Sequence, residues 1–102
     1  MSLFDINMYY YQMNTNPSIC IAKVDKNITK QFIFNVLNKH QLGNIRLINL
    51  VPIGKFQRAF IHFHHWYDND KSLKVRKILL DNEDFKIIYI HPWFWKCSIV
   101  YQ

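Results

Sequence analysis

The chain has 102 residues, of which 50% are hydrophobic, and its 2 Gly and 3 Pro exclude a Gly/Pro-rich disordered chain. We expect one folded domain with its own core. Lys and Arg outnumber Asp and Glu by 13 to 7, which gives a net charge of +6 and favours polyanionic partners. No apolar run reaches the roughly 20 residues of a membrane helix, and no secretory signal is recognisable, so we expect an intracellular protein without membrane contact.

The first half of the chain predicts a leader, a strand and a helix. Residues 1–17 are polar and aromatic and end in the turn-forming NTNP. We expect this leader to be partly ordered. Tyr9–Tyr11 could pack onto the domain or stay loose, and partial packing is favoured. The run SICIAKV (18–24) is apolar and β-branched, which predicts a buried strand. A helix should follow, capped by Thr29 or Asn27 and ended by Leu42-Gly43. Its inner side would carry Phe32, Ile33, Val36 and Leu37.

The second half predicts three strands and another helix. NIRLINLV (44–51) and FQRAFIHFHHW (56–66) are separated by a short turn, so we expect antiparallel neighbours. Asp68, Asn69 and Asp70 can cap a helix over 71–80, which buries Val75, Ile78 and Leu79. FKIIYI (85–90) is a further strand. In the aromatic extension 91–102, Pro92 interrupts this strand, and the chain can then continue as an extra strand.

This order of elements is the split βαβ pattern. It predicts an α+β, ferredoxin-like βαββαβ sandwich over 18–102, with a four-stranded antiparallel sheet and two helices on one face. The other face would be bare unless the extension or the leader covers it.

The strand FQRAFIHF (56–63) has two distinct faces. Ala59, Ile61 and Phe63 would meet the helices, while Arg58, Phe60 and His62 would lie on the open side. An exposed ring can stack on an unpaired base, and a guanidinium can stack or bind phosphate.

At this strand the chain resembles the RNA recognition motif family, whose octapeptide reads K/R-G-F/Y-G/A-F-V-x-F/Y. Ala59, Phe60, Ile61 and Phe63 match it, whereas residues 56–58 do not. The family's first-strand aromatic position is occupied here by Cys20. The resemblance spans 18–90 in the order of elements and implies RNA binding on the open sheet face, with Phe60 as the stacking ring. Many family members with depleted motifs bind proteins instead.

A second resemblance rests on the strings SICI, AFIHF and PWFWK. These are similar to small RNA-recognition-motif-like proteins of large DNA viruses, which implies a viral protein acting in an infected host cell.

The other candidate ligand-binding residues are aromatic or basic. Trp93, Phe94 and Trp95 could pack as additional core or join Phe60 as stacking platforms. A third possibility is that they fold across the sheet and block it, or form a dimer contact. Phosphate contacts are expected from Lys23, Arg46, Lys55, Arg58, Lys86 and Lys96.

No catalytic or metal site is predicted. Cys20, His62 and His64 could converge on one sheet face, but no metal-ligand spacing recurs, so we expect hydrogen-bonding histidines, reduced thiols and no cofactor. The acidic residues fall in predicted loops and caps, and the loop Val24–Asn27 lacks the Arg that an acylphosphatase-like enzyme of this topology would need. We therefore expect no enzymatic activity.

Two functions remain open on these grounds. The first is non-catalytic binding of single-stranded nucleic acid, RNA or DNA, on the open sheet face. The alternative is a protein-interaction or dimerisation module that uses the degenerate face, with Leu47, Leu73 and Leu80 as contact points.

Overall fold

The computed structural model describes residues 14–100, which form an α+β domain with a five-stranded antiparallel sheet and two helices. The strands are β1 (Ser18–Asp25), β2 (Gly43–Ile53), β3 (Phe56–Trp66), β4 (Phe85–Ile90) and β5 (Trp93–Val100). The helices are α1 (Lys30–Asn38) and α2 (Asp70–Leu80). The predicted packing of Tyr9–Tyr11, most of the leader and the last two residues lie outside the described part of the chain.

Both helices begin at a side-chain cap, which satisfies backbone N–H groups that have no partner within the helix. Thr29 Oγ1 accepts a hydrogen bond from the backbone N–H of Phe32 at 3.1 Å. The Asn69 side chain accepts one from the backbone N–H of Ser72 at 2.8 Å. Of the predicted candidates, Thr29 and Asn69 are therefore the caps.

The predicted end of α1 was wrong. The helix ends at Asn38, and Gln41 takes the left-handed backbone conformation with φ of 51°. Gly43 instead opens β2, where a Cβ would lie 2.6 Å from the backbone oxygen of His65. This glycine is required by the close approach of β2 to β3, not by the end of a helix.

The strand order is β2-β3-β1-β5-β4, which departs from the ferredoxin-like prediction. Strands β2, β3 and β1 are neighbours as expected, but β5 occupies the position beside β1 that this topology gives to β4. Because β4 pairs antiparallel with β5, and β5 with β1, strand β4 runs antiparallel to β3. The connection through α2 is therefore not a parallel crossover, and the sheet has five strands instead of four.

One face of the sheet, called the first face here, packs against both helices. Its alternating positions supply buried side chains that meet Ile33 and Leu37 of α1 and Val75 and Leu79 of α2. The buried strand residues of this face are Ile19, Ile21, Val24, Ile48, Ala59, Ile61, Phe63, Ile87, Trp95 and Cys97. The predicted inward positions Ala59, Ile61 and Phe63 are thus confirmed, and the opposite side of the sheet is called the second face.

The last residues of the predicted leader are fixed to the domain. Trp66 Nε1 donates a hydrogen bond to the carbonyl of Pro17 at 2.9 Å. The Arg76 guanidinium donates two hydrogen bonds to the carbonyl of Asn16, at 2.9 and 2.7 Å. Residues 14–17 therefore join the folded domain. Neither helix within 14–100 is long and apolar enough to cross a membrane.

Candidate nucleic-acid interface

Phe60 lies at the centre of the second face. Its direct neighbours across the sheet are Asn49 on β2 and Cys20 on β1, and Cys20 is in turn opposite Ser98 on β5. Phe60 is half-buried. Because these cross-strand neighbours carry short side chains, the ring is the largest apolar group of this row and can serve as a platform for a base.

The β5 strand forms part of the sheet and does not cross its second face. Residues 93–100 pair with β1 on one side and with β4 on the other. Within the described residues, the predicted alternative in which the aromatic extension covers Arg58, Phe60 and His62 is therefore wrong. The extension enlarges this face instead.

Arg58 lies two residues before Phe60, on the same face of the sheet. Within residues 14–100 its guanidinium lacks a complete set of hydrogen-bond partners. Its Nε atom is buried and makes no hydrogen bond within residues 14–100. Burial raises the pKa of the neighbouring Cys20 thiol, and the positive charge of Arg58 partly opposes this increase. A buried donor without an acceptor is unfavourable, so the Arg58 side chain has an incentive to move outward, where an incoming anion could accept its hydrogen bond.

His62 is held by a neighbouring strand. Its Nδ1 atom lies 2.7 Å from Ser18 Oγ of β1. Burial lowers the pKa of His62, and the positive charge of Arg46 lowers it further. The imidazole is therefore mainly neutral at pH 7 and can take part in hydrogen bonds as donor and acceptor. Among residues 14–100, no three His, Cys, Asp or Glu side chains are grouped as a metal site would require.

The three rings of the sequence WFW have different environments. Trp93 and Phe94 are 65% and 48% exposed. Trp95 is buried on the first face, where its ring lies 4.5 Å from Tyr89 in a stacked pair and 6.2 Å from Phe32 in an edge-to-face pair. Trp95 is therefore a core residue and not a stacking platform, which agrees with the first of the predicted alternatives and removes Trp95 from the candidate stacking rings.

Two lysines lie against rings at the sheet surface. Lys86 Nζ is 4.8 Å from the centre of the Phe94 ring, and Lys23 Nζ is 4.4 Å from the centre of the Phe56 ring. Each contact is a cation–π arrangement in which the ammonium group lies over one face of the ring, so a base that stacks on that face would displace the ammonium group, which could then contact a neighbouring phosphate.

Lys86 and Lys96 are direct cross-strand partners on β4 and β5. Like charges in this position repel each other. Lys96 is also 3.7 Å from a carboxylate oxygen of Asp84, but both side chains of this pair remain largely exposed. A phosphate placed near the two ammonium groups would relieve the repulsion.

The remaining predicted cations lie towards the β2 side. Arg46 is exposed at an irregularity in β2 and is close enough to His62 to lower the pKa of that imidazole. Lys55 is exposed in the turn between β2 and β3, away from Phe60 in sequence and in register. The structure thus brings Arg46, Arg58, Phe60 and His62 together and leaves Lys55 at the end of the sheet.

Negative charge is nearly absent from the strands. Among residues 14–100, the only acidic residue within a strand is Asp25, the last residue of β1. The strands carry basic residues at Lys23, Arg46, Arg58, Lys86 and Lys96. This surface is therefore cationic and bears two accessible rings, a combination that suits a flexible polyanion with stacking bases.

Sequence reasoning did not identify Ser18 and Phe56 as site residues, and it did not distinguish Phe94 from Trp93 and Trp95. Ser18 contacts His62 only because β1 and β3 are adjacent, and Phe56 contacts Lys23 only because β1 is irregular at residues 22–23. Phe94 could have been separated from Trp95 by strand alternation, since neighbouring residues point to opposite faces. That signal required the register of β5.

Comparisons of the chain with protein-family models, with curated proteins and with solved structures return no match.

Proposed function

We propose that this protein binds single-stranded nucleic acid, with RNA as the expected ligand, on the second face of its sheet, without catalysing a reaction. The observation that carries the proposal is the charge of the strands, which hold basic residues on five positions and a single carboxylate at the end of β1. The partial likeness of β3 to the RNA recognition motif supports the same assignment.

Stacking would involve Phe60 at the centre of the face and Phe94 near its β4–β5 edge. Phe94 is 48% exposed and is therefore more accessible to a base than Phe60, whose exposure is intermediate. Any base can stack on a ring, so this contact gives affinity with little sequence preference. We therefore expect Phe94 to contribute at least as much as Phe60.

Phosphate contacts would involve Lys86 and Lys96, together with the incompletely bonded Arg58. Neutralising phosphates releases counterions from the nucleic acid, so binding should weaken as salt is added. His62 and Asn49 border Phe60 and offer hydrogen bonds to base edges.

The proposal is tested by fluorescence anisotropy with labelled U10 and dT10 over a salt series. We expect binding at low salt that weakens with salt, and Phe94→Ala should cost about 1–3 kcal/mol if one base stacks there. The double substitution of Lys86 and Lys96 by Ala should reduce the salt slope by about 2. Lys74→Ala is the matched control, because Lys74 is exposed on α2 on the other side of the sheet. Absence of binding at low salt would refute the proposal.

A second candidate function is protein interaction or dimerisation, favoured by an apolar strip on the edge strand β2. Leu47, Val51 and Ile53 are 40%, 43% and 43% exposed on the second face. The predicted contact residues Leu73 and Leu80 are 52% and 44% exposed on α2. Light scattering over a concentration series tests this candidate, since a dimer should dissociate on dilution and Leu47→Glu should shift it to monomer.

A further inference from the structure

Strands β1 and β5 are hydrogen-bonded over only part of their length. These strands pair from Ser18 opposite Val100 to Ile21 opposite Cys97, and no further pairs follow. Beyond Ile21 the register of β1 against β3 shifts. The last part of β1 therefore separates from the first part of β5, and a cleft of about 560 Å³ lies at this end of the sheet.

The cleft is lined mainly by aromatic side chains. They come from the start of β3, the end of β4 and the start of β5, and Lys23, Asp25 and Ile90 complete the lining. The rings are Phe56, Tyr89, Trp93, Phe94 and Trp95. The Tyr89–Trp95 stack has an interplanar angle of 15° and is anchored by the buried Trp95, so one wall is fixed by the core. Trp93 is 65% exposed and leaves a ring available to a ligand.

Asp25 places a carboxylate at this aromatic cleft. Its backbone carbonyl accepts hydrogen bonds from Gln57 Nε2 at 2.9 Å and from the backbone N–H of Ile28 at 3.1 Å, which fix the position of the residue. Its carboxylate makes no hydrogen bond or ion pair within residues 14–100. Asp25 thus lines the cleft from a fixed backbone position, and within residues 14–100 its two carboxylate oxygens have no hydrogen-bond donor.

The charges around the cleft determine whether a cationic or an anionic ligand would bind on its aromatic rings. Aromatic clefts with a carboxylate also suit quaternary ammonium groups. Here, however, ammonium groups already lie over two of the lining rings, Lys23 over Phe56 and Lys86 over Phe94. These lysines repel a cationic ligand and attract a phosphate, so a planar base attached to a phosphate is favoured.

The carboxylate selects among the bases. Guanine presents two adjacent donors, N1–H and N2–H, which can be paired with the two oxygens of a carboxylate as in a bidentate contact. Adenine, uracil and cytosine each lack such a pair of neighbouring donors on this edge. An unpaired base that is splayed out from a single strand exposes this edge and both faces of its ring.

We propose that the cleft is a guanine-selective subsite for single-stranded RNA, with the base stacked on Trp93, its N1–H and N2–H groups donating to Asp25, and a flanking phosphate near Lys23. This inference rests on the proposed function and adds a sequence preference to it.

The test compares the labelled heptamers UUUGUUU, UUUAUUU and UUUUUUU at one salt concentration. We expect the guanine heptamer to bind about tenfold tighter than the other two, the order of discrimination for one bidentate contact. It should also quench tryptophan fluorescence more strongly, because Trp93 is exposed while Trp66 and Trp95 are buried. Asp25→Asn should abolish this preference, so that the three heptamers bind to the variant with equal affinity. Asp68→Asn, at the other end of β3, is the matched control and should retain the preference.

The outcomes separate the two proposals. Equal binding of the three heptamers by the unaltered protein would overturn the guanine subsite and leave the proposed nucleic-acid surface standing. Retention of the guanine preference in Asp25→Asn would likewise overturn the role of the cleft. Absence of binding to any heptamer at low salt would refute the proposed function itself, and with it the subsite.

Discussion

The two faces of the sheet use the same strands for different purposes. On the first face, Ile19, Ile61 and Cys97 are fully buried beneath the helices. On the second face, β3 places Arg58, Phe60 and His62 in alternating positions, and none of them is fully buried. The first face thus supplies the stability that allows the second to carry repelling lysines and an incompletely bonded guanidinium. Because neighbouring residues of a strand point to opposite faces, each strand can use alternate residues for the stable core and for the candidate binding surface.

The largest expected difference between the faces concerns two phenylalanines of β3. Phe63 is 1% exposed on the first face, and Phe63→Ala should lower the free energy of unfolding by about 3–5 kcal/mol. Phe60 is only half-buried, so Phe60→Ala should cost about 1 kcal/mol or slightly more. Urea unfolding followed by circular dichroism measures both.

The milder Phe63→Leu keeps this comparison measurable if Phe63→Ala does not fold. Similar losses for Phe60→Ala and Phe63→Ala would show that the second face is as tightly packed as the first, and would contradict the assignment of Phe60 to a binding surface.

A smaller difference is expected between the alkylation rates of the two thiols, Cys20 and Cys97, which lie on opposite faces of adjacent strands. Burial raises the pKa of Cys97 to about 12 from 9.0. At neutral pH this leaves very little of the thiolate, so alkylation by iodoacetamide should be slow until the protein unfolds. The pKa of Cys20 is also raised by burial, but Arg58 opposes the shift.

We therefore expect Cys20 to react before Cys97, as measured by mass spectrometry of single-cysteine variants, Cys20→Ser and Cys97→Ser. Bound U10 should protect Cys20, which is opposite Phe60, more than Cys97. Faster labelling of Cys97 would contradict the assignment of the two faces.

The smallest expected effect is the pH dependence contributed by His62. Its pKa in the folded protein lies below the usual 6.5, so the unfolded chain binds the proton first on acidification. The stability that this residue contributes is present above pH 6.5 and is lost as pH falls through the lowered pKa. His62→Gln should therefore flatten the decrease in stability between pH 7 and pH 5, measured by urea unfolding at each pH.

His64→Gln is the control for this prediction, because His64 is exposed on the same strand. A steeper acid-induced loss in His62→Gln than in the unaltered protein would reverse the sign of the predicted contribution. His40 has a similarly lowered pKa through burial and Lys71, so some pH dependence should persist in the variant.

Local patterns predicted the elements and much of the second face. Strand β3 has the predicted bounds because alternation begins after a turn and ends before Asn69, the cap of α2. The placement of Arg58, Phe60 and His62 followed from the same alternation. These features depend on neighbours in sequence, which is why sequence alone was sufficient.

Features that depend on distant pairing were not predictable. The choice of β5 over β4 as the neighbour of β1 is decided by packing across the whole sheet. The inward position of Trp95 depends on that register, and so does the cleft beside Asp25. Gly43 was misread because a glycine near a helix end is the common pattern, whereas the close contact with His65 is visible only in three dimensions.

The placement of β4 has a consequence for the order of assembly. Among the described strands, β4 hydrogen-bonds only with β5, whereas β5 also joins β1. A nascent chain that has reached Ile90 can already align β1, β2 and β3, but its fourth strand still has no hydrogen-bonding neighbour in the sheet. Residues 85–100 should consequently dock as a hairpin late in folding, and the aromatic cleft should come into existence only with that final step.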